Sequence, residues 1–337
     1  MEPPETILTP IMSKLRGTQA ASALDDWLAS WRERIDAILP SLLPLPRDMA
    51  TNVAWAPSVH DAMAYAALAP GKRIRPTLML AIGEMYGVRT ARFLPAACAV
   101  EMVHTASLIL DDLPCMDDAP TRRGRPACHV VFGEANAILA SVGLLNHAYG
   151  ILAGEIPCDG PDREAIPDIT RDRLRCLIAR RLASAIGPDG VIGGQATDLA
   201  ETKRGKGAAA AAIDLQTMEF IHSHKTGSLF IASAEMGGIL SGGTPPEVEA
   251  LSAYAKNLGL AFQITDDLID VEGSAQRAGK PVRADTGKAT FVTLCGIEGA
   301  RALAAELCES AIGALAPFGR QGGRLRDLAR FVAVRDR

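Results

Sequence analysis

Two short stretches place clustered carboxylates where apolar helices should end. In "SLILDDLPCMDD" (107–118) apolar residues run straight into Asp111, Asp112, Asp117 and Asp118, and Arg122 and Arg123 follow at once. In "FQITDDLIDVEG" (262–273) the acids are Asp266, Asp267 and Asp270. On a helix Asp266 and Asp270, four apart, point the same way, with Asp267 turned about 100° aside. Asp111 and Asp117 are six apart, roughly 120° out of line on an ideal helix, and Asp118 aligns better; Pro114 should distort that turn and could swing Asp117 back, so both stay open. Burying several carboxylates without counter-charge is costly. Hard oxygen ligands with room left for water describe Mg²⁺, which commonly bridges protein to phosphate. Arginines add bidentate contacts to phosphate oxygens. A metal-bridged diphosphate is the anion that such acids and bases can hold side by side.

Further cations sit at comparable places. "GKRIRP" contributes Lys72, Arg73 and Arg75, and "HSHKTG" contributes Lys225 beside the Thr226 hydroxyl. Lys280 and Lys288 lie just beyond the second acidic stretch. One such group alone reads as a solvated face; several at the polar ends of apolar helices do not.

The elements that must position them read as helices. Leu24, Trp27, Leu28, Trp31 and Ile35 form one helical face, followed by a Pro-rich break from Pro40 to Pro57. A helix, a Pro-Gly turn and a second helix from Pro76 come next, then a long apolar helix over 92–113. "GEANAILASVGLLNHAYGILAG" is another helix, and an acidic, Pro-rich connection over 155–172 leads to helical periods at 173–187 and 191–202. Thr244 as N-cap, Pro245 and Glu247 start the helix that ends in the second acidic stretch. After a loop over 273–288, two more helices close the chain. No segment keeps a strand period, so the expected class is all-α: a loose tail over 1–20, then one large helical bundle over 21–337 around a central apolar cavity. Two similar acidic helix ends suit helices that face each other across such a cavity.

Ala- and Leu-rich composition, 48% hydrophobic with 4% aromatics, agrees with packed helices. The net charge of −4 argues against nucleic acid as a partner. Seven cysteines without a C-x-x-C read as buried thiols of a reducing compartment. The first residues carry no signal pattern, and no apolar run approaches the roughly 18 residues of a spanning helix. A cytoplasmic protein without a membrane span is expected.

Taken together, "GKRIRP", "HTASLILDDLPCMDDAPTRRGRP", "GGQATDLA", "HKTGSLF", "GLAFQITDDLID" and "GKPVRADTGKATFV" resemble the trans-isoprenyl diphosphate synthases, in order and approximate spacing, over about residues 60–335. The long first acidic motif looks like the bacterial and plant type, most like geranylgeranyl diphosphate synthases. The resemblance implies Asp111, Asp117 and Asp266 as principal ligands of three Mg²⁺ ions, with Asp112 and Asp270 supporting, and so favours Asp117 over Asp118. It implies that Arg122, Lys225 and Lys280 hold an allylic diphosphate, and that Lys72, Arg75, His104 and Arg123 hold isopentenyl diphosphate. Thr226 and Gln263 would face the reacting carbons, and Gln195 and Asp198 would line the cavity or support the metal shell. Homodimerisation is a further expectation.

In that family a large aromatic five residues before the first acidic motif stops growth at fifteen carbons. Here that residue is Ala106, beside Ser107 and above Val103, which implies a C20 product. The rivals are a farnesyl (C15) diphosphate synthase, a non-catalytic subunit that tunes a related synthase, and another ionising enzyme such as a terpene cyclase. Intact acidic motifs argue against the silent subunit, and the Lys72, Arg75, His104 and Arg123 set argues against the cyclase.

Overall fold

The computed structural model describes residues 19–44, 57–89, 93–154, 168–205, 213–278 and 290–334. These are almost entirely helical: α1 (Gln19–Leu42), α2 (Pro57–Ala67), α3 (Ile74–Met85), α4 (Leu94–Asp111), α5 (Cys128–Phe132), α6 (Glu134–Gly154), α7 (Asp168–Ile186), α8 (Val191–Gly205), α9 (Leu215–His222), α10 (Ser228–Leu240), α11 (Pro245–Ala278), α12 (Phe291–Ala314) and α13 (Gly323–Val334). A π-helical turn, Ser223–Gly227, joins α9 to α10. The all-α class expected from composition is what the chain adopts. One small departure is a two-stranded hairpin, β1 (Thr121–Arg122) with β2 (Arg125–Pro126). The loose tail falls almost wholly outside the described residues, as does most of the 155–172 connection.

The chain divides into two compact units, each discontinuous. One comprises residues 31–183 with 236–243; the other comprises residues up to 30, 184–235 and 244 onward. In the first unit α3 and α4 are wrapped by protein: every residue from Pro76 to Gly83 and from Leu94 to Val103 is buried. A helix apolar on all sides has to be central, and the alanines at 96, 97 and 99 let neighbours approach closely. α6 packs against α4, where Ser141 Oγ donates to the Ala106 carbonyl at 2.9 Å. α1 buries Leu24, Trp31, Ile35 and Leu39 and runs past the expected break at Pro40 to Leu42. Pro40 has no N–H to donate to the Asp36 carbonyl, so it deprives the last turn of one hydrogen bond without ending the helix before Leu42.

The second unit is organised around α11. Its start has the expected reach-back, since the Glu247 carboxylate accepts from the Thr244 N–H at 2.7 Å and hydroxyl at 2.9 Å. Its inner face, Leu260, Ile264 and Leu268, forms a core with Met218, Phe291, Ala300 and Ala304. Tyr254 and Thr265 reach the carbonyls of Leu325 and Val332 at 2.7 and 3.2 Å and so pin α13.

Three sequence expectations need correction. α11 does not end in the second acidic stretch but runs on to Ala278, through the first residues expected to form a loop over 273–288. α4 and α6 are both long and apolar enough to cross a membrane on length and composition, because isolated polar residues such as His104 and Asn146 do not lower the mean enough to exclude them. And of six described cysteines only Cys98, Cys128 and Cys308 are buried; Cys115, Cys176 and Cys295 are exposed.

Candidate active site

The first acidic stretch begins where α4 stops. Asp112 is the C-cap, and the chain then curls so that the Asp117 N–H donates to the Asp111 carbonyl at 2.9 Å. Asp118 takes a left-handed conformation (φ 51°) and is exposed, whereas Asp111 and Asp117 are half-buried. The Pro114 turn thus closes the backbone of Asp117 onto that of Asp111. Asp112 points elsewhere. Its buried carboxylate accepts from Arg122 Nε at 2.9 and 3.2 Å and also meets Arg122 Nη2.

The hairpin presents the two arginines. Arg123 and Gly124 both have positive φ (53° and 75°), the combination a two-residue turn needs between twisted strands. The Arg123 guanidinium then lies against Gly71, donates to the Ala69 carbonyl at 3.4 Å and stands 3.6 Å from Glu101. Arg125, next along the hairpin, stacks over the Tyr65 ring at 3.9 Å.

In the basic turn the three cations separate. α3 starts at Ile74, two residues before Pro76, so Arg73 is its N-cap in a left-handed conformation (φ 49°). Arg73 is only 3% exposed and donates to Asp36 (2.8 Å), Glu101 (2.7 Å) and the carbonyls of Ala67 (3.2 Å) and Ala69 (2.8 Å). It is a buried structural pin and faces no solvent. Lys72 is exposed, and Arg75 Nη1 lies 3.2 Å from His104 Nε2. Burial, then the cations of Arg75, Arg123, Arg73 and Arg122, hold His104 well below the usual histidine range. The imidazole is therefore neutral, with Nε2 accepting from Arg75.

In the second unit the π-helical turn carries two of the expected site residues, Lys225 and Thr226. Lys225 Nζ pairs with Asp198 of α8 at 2.7 Å. α8 comes this close because residue 194 is glycine: a Cβ there would lie 2.9 Å from Lys225 Cα. The Thr226 hydroxyl donates to Gln263 Oε1 at 3.2 Å, and Gln263 Nε2 donates to Asp267 at 3.0 Å. Asp267 is buried and also accepts from the Phe291 N–H at 3.2 Å. Burial, reinforced by Asp266 and Asp270 and opposed by those two hydrogen bonds, pushes its carboxyl up to about 6. Asp266 is half-buried and Asp270 exposed, on a different face from Asp267. Near this turn His222 is brought down to about 4 by burial, against the pull of Asp198 and with a push from Lys225. Both polar atoms of the Gln195 amide are buried without a hydrogen-bond partner among the described residues.

Lys280 and Lys288 lie outside the described residues. Val103 and Ala106 are buried in α4, and the half-buried Ser107 turns its hydroxyl to the His104 carbonyl at 2.8 Å. Among the described residues no three His, Cys, Asp or Glu side chains form a ready-made metal cage. Asp111 and Asp117 are half-buried hard oxygen donors, a chemistry that fits a cation such as Mg²⁺ with water and phosphate completing its shell. Sequence reasoning missed Glu101, whose burial mid-helix was the available signal, and assigned nothing to Asp267.

Comparison with known proteins decides the family: residues 56–315 match the polyprenyl synthetase model. The chain belongs to that family. A farnesyl diphosphate synthase from Geobacillus stearothermophilus is 43% identical over 280 residues, covering 82% of this chain and 89% of that protein. A chloroplastic geranylgeranyl pyrophosphate synthase from Capsicum annuum is 41% identical over 281 residues, covering 82% of this chain and 72% of that protein. A solved FPP/GFPP synthase from Zymomonas mobilis superposes with a TM-score of 0.76 at 35% identity, over 93% of this chain and 99% of that one. This polyprenyl synthetase is a prenyltransferase of the trans-prenyl synthase type.

Proposed function

We propose that this polyprenyl synthetase condenses isopentenyl diphosphate head-to-tail with allylic diphosphates, releases pyrophosphate and stops at geranylgeranyl diphosphate (C20). The observation that carries the reading is the π-helical turn, which sets Lys225 against Asp198 and Thr226 against Gln263 on the helix that bears Asp266. Asp111, Asp117 and Asp266 would hold Mg²⁺, with Asp112 and Asp270 supporting; bound there, the ions neutralise the leaving pyrophosphate. Asp112 supports the site through Arg122, which it holds in place for the allylic diphosphate beside Lys225 and Lys280. Lys72, Arg75, Arg123 and neutral His104 bind the diphosphate of isopentenyl diphosphate, His104 by orienting Arg75. The Thr226 and Gln263 oxygens face the reacting carbons and favour developing positive charge. Apolar helix surfaces exclude water from the cation, and the lost proton leaves with pyrophosphate.

The C20 product rests on the small side chains at Ala106 and Ser107. The Geobacillus relative, a farnesyl diphosphate synthase, supports C15 as the second reading. Homodimerisation is supported by the exposed apolar stripe Ile138, Leu139 and Val142 on α6, with Val130 and Val131 of α5 also exposed.

Purified protein given labelled isopentenyl diphosphate and C5, C10 or C15 primers should elongate them to C20 only when Mg²⁺ is present. Cyclised hydrocarbons, or silence with every primer, would sink the proposal.

A further inference from the structure

Asp267 belongs to an acidic motif, yet its carboxylate spends both oxygens on hydrogen bonds within the protein. Oδ1 accepts from Gln263 Nε2 at 3.0 Å and Oδ2 accepts from the Phe291 N–H at 3.2 Å. Only 9% of the residue is exposed. At the far end of the same amide, Gln263 Oε1 accepts the Thr226 hydroxyl proton at 3.2 Å. The chain of bonds has a direction. A carboxylate only accepts, so the NH₂ end of Gln263 must face Asp267 and the carbonyl end must face Thr226. Rotating the amide by half a turn would set Oε1 against the Asp267 oxygens, two acceptors with no proton between them. Phe291 opens α12, so the orienting carboxylate is itself held by a backbone donor at a helix start, where negative charge is favoured.

The geometry points to Asp267 as a positioning residue that fixes which end of the Gln263 amide is offered to Thr226 and to the substrate carbons. It is distinct from the metal-ligand role assigned to Asp266 and Asp270. The inference rests on the proposed roles of Thr226 and Gln263.

The test is a reciprocal exchange. Asp267→Asn keeps the shape but supplies one acceptor for two donors, so the Gln263 amide loses its fixed direction. Turnover should fall at least tenfold while the Mg²⁺ concentration for half-maximal rate stays within twofold of wild type. Gln263→Glu alone sets two carboxylates together and should be comparably impaired. In the double variant Gln263→Glu/Asp267→Asn the donor and acceptor are swapped. The new amide at position 267 donates to the new carboxylate at position 263, which still accepts from Thr226, and at least half of the lost turnover should return. A rise in the Mg²⁺ requirement of Asp267→Asn would overturn the inference, by showing that Asp267 acts through the metal. A double variant no more active, or no better folded, than either single would overturn it too. Should wild-type protein fail to elongate any primer, it is the proposed activity that fails; a working wild type with no recovery in the double variant removes the positioning role alone.

Discussion

His104 and His222 share one perturbation with different neighbours, and it has a direct consequence for stability. Both are held below the ordinary histidine value, His222 down to about 4. The unfolded chain, titrating near 6.5, therefore binds more protons than the folded one just below that pH. Their contribution is complete above about 6.5 and is lost as pH falls towards the folded values. For His222 the loss between pH 7 and pH 5 is about 2 kcal/mol. Asp267, raised to about 6, works the other way: its contribution is full below its ordinary value of 3.8 and lost as pH rises through 6. Urea midpoints should be lower at pH 5 than at pH 7. His222→Gln should shrink that difference, and Asp267→Asn should enlarge it. At this scale the sequence was informative wherever period or composition decided a position. Asp266 and Asp270 share a direction and Asp267 turns aside, as helical spacing requires. It could not say what Asp267 meets, because Phe291 is 24 residues further along the chain, nor that Arg73 is the one cation of its turn to be buried, since that depends on Asp36 and Glu101 closing around it.

Among the elements, the π-helical turn Ser223–Gly227 is the one that composition cannot announce: "SHKTG" would serve equally in an α-helix, and only packing selects the wider turn. Its partner is α8, whose Gly194 leaves no room for a Cβ against the backbone of His224 and Lys225, 3.0 Å from the former's carbonyl carbon. Gly194→Ala should push α8 away, separate Asp198 from Lys225 and lower turnover at least tenfold, with a lower melting temperature in a thermal scan. α4 offers a second prediction. Ala106 is buried and its carbonyl is tied to Ser141 of α6, so on the proposed reading both helices would contribute to the floor under the growing product. Ala106→Phe should shift the main product from C20 to C15 on chromatography; an unchanged product would place the floor elsewhere. The helix end at Asp111, the capped start at Thr244 and the order of helices were legible beforehand, because caps and periodicity are local; the second acidic stretch was misjudged as a helix end, since α11 runs on to Ala278. The hairpin carrying Arg122 and Arg123 was not, since two-residue strands leave no period to read.

For the molecule as a whole, the exposed stripe on α6 gathers three of the exposed large apolar side chains of the described residues on one helix. Leu139 and Val142 are 54% and 55% exposed on a helix otherwise apolar enough to be a core element. Val142→Glu should convert a dimer to monomers in sedimentation analysis and leave the helical circular dichroism unchanged; a wild type that already sediments as a monomer would remove this assignment. The two-unit division escaped sequence reading for a plain reason: it joins segments far apart along the chain. Residues 236–243 belong with 31–183, and everything from 244 onward belongs with residues up to 30 and 184–235. During synthesis on a ribosome, neither half can finish when its first stretch emerges. The earlier half waits for a short piece made about fifty residues after its main body ends, and the later half waits for the final helix. A nascent chain therefore carries unsatisfied apolar surface until α13 has emerged, and stalled or prematurely ended products should be clients of chaperones or proteases rather than stable fragments.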